Sequence, residues 1–300
     1  MAGETVHVYT DTAQTHTFGT AANWSTAEVP DTGDTLVFND LSLGPLTIGI
    51  AAGDLAAQEY TIIVDRGFKY YVGTEAIPFE PALGMPAMIF RGVGTTSSYF
   101  RIPTGQDCDI AYIDSQSSKE DIVILDGAGT GEYDEITVRN GKVKMAASSI
   151  LASGGFLHML GGTGNASAEM NILTGSTMTG TYVDIGGGRL TTNVTLPSVD
   201  QHGGEFIIED NADITDLDIF GGTTYWDGAS STITKAQVFA GMLMSRKNRL
   251  GRIMTNMDVF GSGQADFTVG GTDITFSNAP RQYGDNPIKM PVGTTVTFGF

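Results

Sequence analysis

The chain has 300 residues, 41% of them hydrophobic, and its 34 acidic side chains outnumber 16 basic ones to give a formal charge of −18. That surplus repels phosphate backbones and anionic headgroups, so neither nucleic acid nor a membrane surface is an expected partner. With only 17% charged residues and 40 glycines, the composition points to many turns and away from a helix-rich protein.

From the N-terminus, residues 1–16 (MAGETVHVYTDTAQTH) show neither the basic nor the apolar segment of a secretory signal, and no later run approaches the ~18 apolar residues of a membrane helix. Synthesis in a reducing cytoplasm is the expectation. The lone Cys108 fits it as a small buried hydrophobe, since one thiol forms no internal disulfide. Asn23 to Phe38, NWSTAEVPDTGDTLVF, reads as an end cap. Trp24 covers an open coil end, Pro30 and Gly33 make a turn, and Leu36 and Phe38 begin the first buried strand. Residues 41–110 are less regular, and Phe79 to Met88, with Pro78, Pro81 and Pro86, reads as an extended loop. GAGTG at 127–131 lacks the Lys-Ser/Thr of a phosphate loop and reads as a turn.

Beyond residue 130 the chain repeats. A polar residue, an aliphatic residue, Phe and then glycine recur at Phe220, Phe239 and Phe260, which are 19 and 21 positions apart. A glycine-then-apolar step runs through Gly141/Val143, Gly155/Leu157, Gly188/Leu190, Gly204/Phe206 and Gly241/Leu243. Two long gaps imply degenerate copies near 166–170 and at Thr224, for a period of about 14 to 22 residues. Within units the pattern has period two, as in Tyr182-Val183-Asp184-Ile185, which is the strand signature. Units this short hold no crossover helix. The expected fold is therefore all-β, a right-handed parallel β-helix whose glycines take the bends between sheets and whose phenylalanines stack at one level. The alternative is an antiparallel β-sandwich, which gives no reason for one phrase to recur in register. The chain reads as one structural domain: a cap and first strands over 1–40, coils over 41–270, and a closing segment over 271–300 that ends in a strand able to shut the far end or pair with another chain.

The phrase Asn23-Trp24, followed by Val29-Pro30-Asp31-Thr32-Gly33-Asp34 and the strand Thr35-Leu36-Val37-Phe38, resembles the opening of a group of tailed-bacteriophage and prophage proteins of β-helical type. The resemblance covers the cap clearly and the later repeats in texture. It implies a virion structural protein assembled in the host cytoplasm, without enzymatic activity or cofactor. In that role the chain decorates the capsid as a cement protein, packs as a homotrimer, and has the major capsid protein or another virion protein as partner. Two alternatives stay open: a carbohydrate-active β-helix of tailspike or lyase type, and a receptor-binding tail appendage.

Several stretches invite chemistry. Glu205 and the run Glu209 to Asp218, EDNADITDLD, gather carboxylates that could act in pairs on a glycosidic bond or hold Ca²⁺, against a plain solvated turn. Tyr225 and Trp226 beside Glu209 and Asp213 are the aromatic platform a carbohydrate enzyme needs. GGTGNA at 161–166 falls short of a calcium repeat because Ala166 replaces its Asp. His7, His16, His158 and His202 lack metal-ligand spacing and are expected to be satisfied core or surface histidines, although His158 and His202 could converge across coils. The one basic cluster, Arg246, Lys247, Arg249 and Arg252, is the candidate contact to a capsid or a neighbouring protomer, against a solvated loop.

Overall fold

A computed structural model describes residues 5–51, 53–55, 58–161, 167–178, 182–247, 249–269, 274–290 and 297–298. The chain is all-β. It divides into two compact units, Met1–Ala152 with Gly162–Glu169, and Ser153–Gly161 with Met170–Phe300.

In the first unit the strands are β1 (Val6–Tyr9), β2 (Thr35–Phe38), β3 (Thr61–Val64), β4 (Met85–Phe90), β5 (Ser98–Ile102), β6 (Asp107–Asp114), β7 (Val123–Gly127) and β8 (Glu132–Met145). One sheet runs β1-β2-β3-β4-β6-β8 and a second runs β5-β7-β8, with every one of these pairs parallel. Parallel neighbours need a full revolution between them, whereas a sandwich is built from antiparallel hairpins, so the unit is a β-solenoid. β8 serves both sheets because it bends at Gly141, where φ is +97°.

The cap begins one rung earlier than the motif suggests. β1 precedes β2 in register, Val6 opposite Thr35 and Tyr9 opposite Phe38, and Tyr9 is fully buried. Trp24, Asn23 and Asp34 of the opening motif each have a physical task. Trp24, 2% exposed, packs edge-on against Tyr9 and Phe18, and its indole N–H donates to the Phe18 carbonyl at 2.8 Å. The buried Asn23 amide donates to Thr15 Oγ1 and the Thr17 carbonyl and accepts from Ala13 N, lacing the loop beneath. Asp34 accepts from the backbone N–H of Thr5 and Asp31, which closes the Gly33 turn. Phe79 to Met88 is not all loop: Phe79 is buried and bridges Phe100, and β4 starts at Met85. Pro86 is tolerated there because pairing of β4 with β3 starts only at Met88, so its missing N–H is not needed.

In the second unit β9 (Ile150–Leu160) and β10 (Ala168–Ile172) straddle the division. After them come β11 (Thr177–Met178), β12 (Tyr182–Gly187), β13 (Arg189–Thr192), β14 (Leu196–Gln201), β15 (Glu205–Ile208), β16 (Ile214–Ile219), β17 (Thr223–Trp226) and β18 (Thr232–Val238). β19 (Met242–Met244), β20 (Arg252–Phe260), β21 (Gln264–Asp266), β22 (Ile274–Phe276), β23 (Arg281–Tyr283) and β24 (Thr297–Phe298) complete the unit. One sheet runs β9-β12-β14-β16-β18-β20-β22-β24, with β23 also on β20, and the other runs β13-β15-β17-β19-β21, again parallel throughout. The C-terminal strand thus pairs within its own chain.

Inside, Val183, Val199, Leu217, Ala236 and Met257 form one column of successive register partners. Gln201 sits in the next column, fully buried among aliphatic neighbours, and is satisfied there. Its amide donates to the carbonyls of Gly203, Gly204 and Thr223 and accepts from Thr224 Oγ1. The degenerate copy expected at Thr224 is real, since Thr224 lies between Phe206 and Leu243. The step at Gly155 belongs elsewhere, because Leu157 partners Val183 in the first sheet while Leu190 partners Phe206 in the second. The copy expected near 166–170 is β10, with Ala168 and Met170 buried and the strand paired with β13 of the second sheet, whereas GGTGNA lies, but for Gly161, outside the described residues.

Gly188, Gly204 and Gly222 make the bends between the two sheets, all with positive φ. A Cβ on Gly204 would stand 2.4 Å from the Gly188 carbonyl oxygen, so each bend nests on the one before. We predict that Gly204→Ala costs at least about 2 kcal/mol in urea unfolding, the sum of left-handed strain and a backbone clash. Gly105→Ala, also at positive φ but with open space around it, should cost about 1 kcal/mol.

Candidate functional site: a ringed and acidic outer face

Five strands of the first sheet in the second unit, β14, β16, β18, β20 and β23, end on or lead into a recurring triplet: Asp200-Gln201-His202, Asp218-Ile219-Phe220, Gln237-Val238-Phe239, Asp258-Val259-Phe260 and Arg281-Gln282-Tyr283. In the first four the middle residue is buried, so the other two project from the outer face in adjacent columns, and Arg281 and Tyr283 continue those columns as the register partners of Asp258 and Phe260. Parallel, in-register pairing then stacks like on like.

The ring column is continuous. Successive centroids of His202, Phe220, Phe239, Phe260 and Tyr283 are 4.9, 4.9, 5.0 and 4.9 Å apart, with planes within 9° of parallel. The column is also on the surface: Phe220 is 39% and Tyr283 56% exposed, and Phe239 and Phe260 are half-buried. Because each inner ring gives both faces to its neighbours, the column offers solvent its ring edges.

Beside it runs the carboxylate column, Asp184 opposite Asp200, Asp200 opposite Asp218, then Gln237, Asp258 and Arg281. Like charges in register repel. At the last rung the repulsion is answered by Arg281, whose guanidinium forks onto Asp258 at 2.6 and 2.6 Å and lies 6.0 Å from the Tyr283 ring centre. The upper rungs have no such partner among the described residues. Tyr182 donates to Asp200 at 2.5 Å. Asp184 has His158 Nδ1 at 3.7 Å and His202 Nε2 at 3.9 Å, so the two histidines do converge, on opposite sides of one carboxylate. Burial pushes the Asp218 carboxyl above its ordinary value, Lys235 pulls it down, and Asp216 and Asp200 push it up further.

The sequence-predicted sites fare differently. Arg252 is corrected: it is fully buried, donates to the Trp226 carbonyl and Ser245 Oγ, and lies 5.4 Å from the Trp226 ring, so it contacts no other chain. Arg246 grips the buried Asp227 through two nitrogens and covers the Tyr225 ring at 3.6 Å. Lys247 holds Glu209 at 3.1 Å. Arg249 has no carboxylate partner among the described residues. The aromatic platform also fails, because Trp226 is fully buried and donates to Ser231 Oγ. Apart from Asp218, the acidic run 205–218 is held in local structure: Glu205 pairs with Arg189, Asp216 with Lys235, Asp210 accepts from Ala229 N and Asp213 from Thr232 N.

Two arrangements in the first unit were not evident from spacing. Among the described residues, Asp107, Asp109 and Asp134 alone bring three ligand oxygens within 4.8 Å of one another. Burial and then the two neighbours raise the Asp134 carboxyl. All three are exposed, beside a polar hollow lined by Gly105, Gln106, Asp107, Thr130 and Glu132, to which the GAGTG turn contributes Thr130. His7, buried, has Thr26 Oγ1 at 2.7 Å on one ring nitrogen and Asp34 at 3.0 Å on the other. This hydroxyl–imidazole–carboxylate order has the connectivity of a triad, yet Asp34 also fastens two backbone amides of the cap, and that task accounts for it. Cys108 is buried, and burial raises its thiol far above the usual range, so it is inert.

No protein-family model matches the chain, and no curated protein or solved structure matches it. Fold and surface together define a parallel β-solenoid protein with an ordered outer ladder face.

Asp218→Asn should raise stability at pH 7 by about 0.5 kcal/mol, since it removes like-charge contact without changing shape. A carboxyl whose folded value is raised stabilises below its ordinary value and loses that contribution as pH climbs through the raised one. The advantage of the variant over the parent should therefore shrink as pH falls toward 3.8, which paired urea titrations at pH 7 and pH 4 will read.

Proposed function

We propose that the chain is a non-enzymatic structural protein of a bacteriophage particle, a decoration or cement protein that holds to the capsid surface as a homotrimer. The observation that carries the reading is the outer ladder face of the second unit. Its rings and carboxylates lie in straight columns set by backbone register, which gives a fixed, repetitive surface rather than a cleft around reacting groups. Such a surface suits attachment through many modest contacts, multiplied by oligomer avidity on a lattice. The N-terminal resemblance supports the same reading, because the residues that carry it build the cap on which the first rungs stack.

The carbohydrate-active alternative draws less support. Stacking on a sugar needs open ring faces, and the exposed aromatic column has its inner faces occupied. Of the carboxylates offered for acid–base work, all but Asp218 are tied to Arg189, Lys235 and Lys247 or to backbone amides.

Cryo-electron microscopy of intact particles of the producing phage should show solenoid density on the outer surface of the head, in groups of three. Sedimentation of the purified chain at micromolar concentration should give three times the monomer mass. Particles whose heads lack the chain would overturn the decoration role, and a monomer at all concentrations would overturn the trimer.

A further inference from the structure

The ladder face carries a record of what it accepts. Twice in the second unit an arginine clasps an aspartate beside an aromatic ring: Arg281 forks across both oxygens of Asp258 near Tyr283, and Arg246 over Tyr225 donates from two nitrogens to one oxygen of Asp227. A planar guanidinium satisfies both halves of such a place, pairing bidentately with the carboxylate while lying against an apolar ring. Asp218 with Phe220 and Asp200 with His202 repeat the arrangement of Asp258 with Phe260 two and three rungs further along the columns, but no arginine of the described residues fills them.

We propose that this face, formed by Asp184, Asp200 and Asp218 beside the rings of His202, Phe220 and Phe239, docks an α-helix of another protein that presents arginines at three- and four-residue intervals. The interval follows from the lattice. Rungs repeat every ~4.8 Å, and residues three and four apart on a helix rise by about 4.5 and 6 Å, whereas alternate residues of a strand are about 6.6 Å apart. Aliphatic residues between the arginines would cover the ring edges.

Charge selects the occupant. The second unit of another copy has little to offer this face, because its cations are already committed: Arg189 to Glu205, Lys235 to Asp216, Arg246 to Asp227, Lys247 to Glu209, Arg281 to Asp258 and Lys289 to Asp266, with Arg252 buried. Among the described residues of that unit this leaves Arg249 against three carboxylates. A bare divalent ion is a poor match as well, since the oxygens brought together closely enough for one lie at Asp107, Asp109 and Asp134, not on this face. The inference deepens the docking role proposed above and rests on it for the partner's biology, while the geometry of the face is independent of it.

The test uses the full chain and a labelled synthetic helix of about 18 residues with arginines spaced three and four apart and leucines between them, read by fluorescence anisotropy. Two comparison peptides have lysine for each arginine, or the same residues in an order that scatters the arginines around the helix. The spaced arginine helix should bind at least about 5-fold more tightly than either, because lysine cannot fork and scattered arginines cannot reach successive rungs. The double change D200N/D218N keeps side-chain shape and should weaken binding by about 10-fold or more, the loss of two charge-assisted pairs. D109N/D134N, which removes the same charge from the first unit, should leave binding unchanged. Equal binding of all three peptides, or equal loss in both double variants, would show attraction to net charge alone and overturn the proposal. Tight, ordered binding by a chain absent from phage heads would retain the face and discard the decoration role, while failure of the peptide with the chain on the capsid would do the reverse.

Discussion

Parallel pairing in exact register is the constraint on which everything else in this molecule rests. Once Asp200 is set opposite Asp218 and Val199 opposite Leu217, every side chain has a fixed neighbour one rung away, at a distance it cannot alter. A good residue is then good along the whole column, and a poor one is repeated. The aliphatic columns, the nested glycine bends and the five stacked rings benefit from this repetition. The carboxylate column suffers from it, because like charges cannot step aside without breaking the ladder.

The chain answers much of its own charge through the same register. Arg189 and Glu205, Asp216 and Lys235, Asp258 and Arg281 are direct cross-rung partners, so complementary residues one revolution apart neutralise each other. Where the column supplies no complement, as at Asp200 and Asp218, the field stays open on the surface. An acidic surplus that composition reports as a single sum is thus distributed very unevenly, and the unevenness marks the surface on which a partner would be recognised.

The solenoid was legible because its signals are local. Period-two alternation, short units and glycine at each bend identify parallel rungs without any knowledge of distance. The aromatic column was half legible: the recurrence of Phe220, Phe239 and Phe260 was plain, but His202 and Tyr283 extend it by position and not by residue type. The column of aspartates was hidden in the same phrase as its unspecified polar residue. What could not be read was whatever depends on the length of each revolution. Arg252 stands in a run of basic residues, and nothing local says that one of them begins a strand and turns inward. Trp226 likewise looks like a surface platform until Ser231 is seen accepting its indole N–H. The spacing of Asp107, Asp109 and Asp134 becomes a cluster only when Asp107 is known to lie opposite Glu132.

The nesting of Gly188, Gly204 and Gly222, each bend resting on the carbonyl of the last, limits how such a molecule can change over time. A single inserted residue in β16 would turn Asp218 toward the core and Leu217 toward water. Duplication or deletion of a complete revolution, by contrast, leaves every bend seated and every column straight. The outer face can therefore gain or lose length in whole steps while its chemistry stays the same, so the reach of a recognition surface can evolve separately from its selectivity.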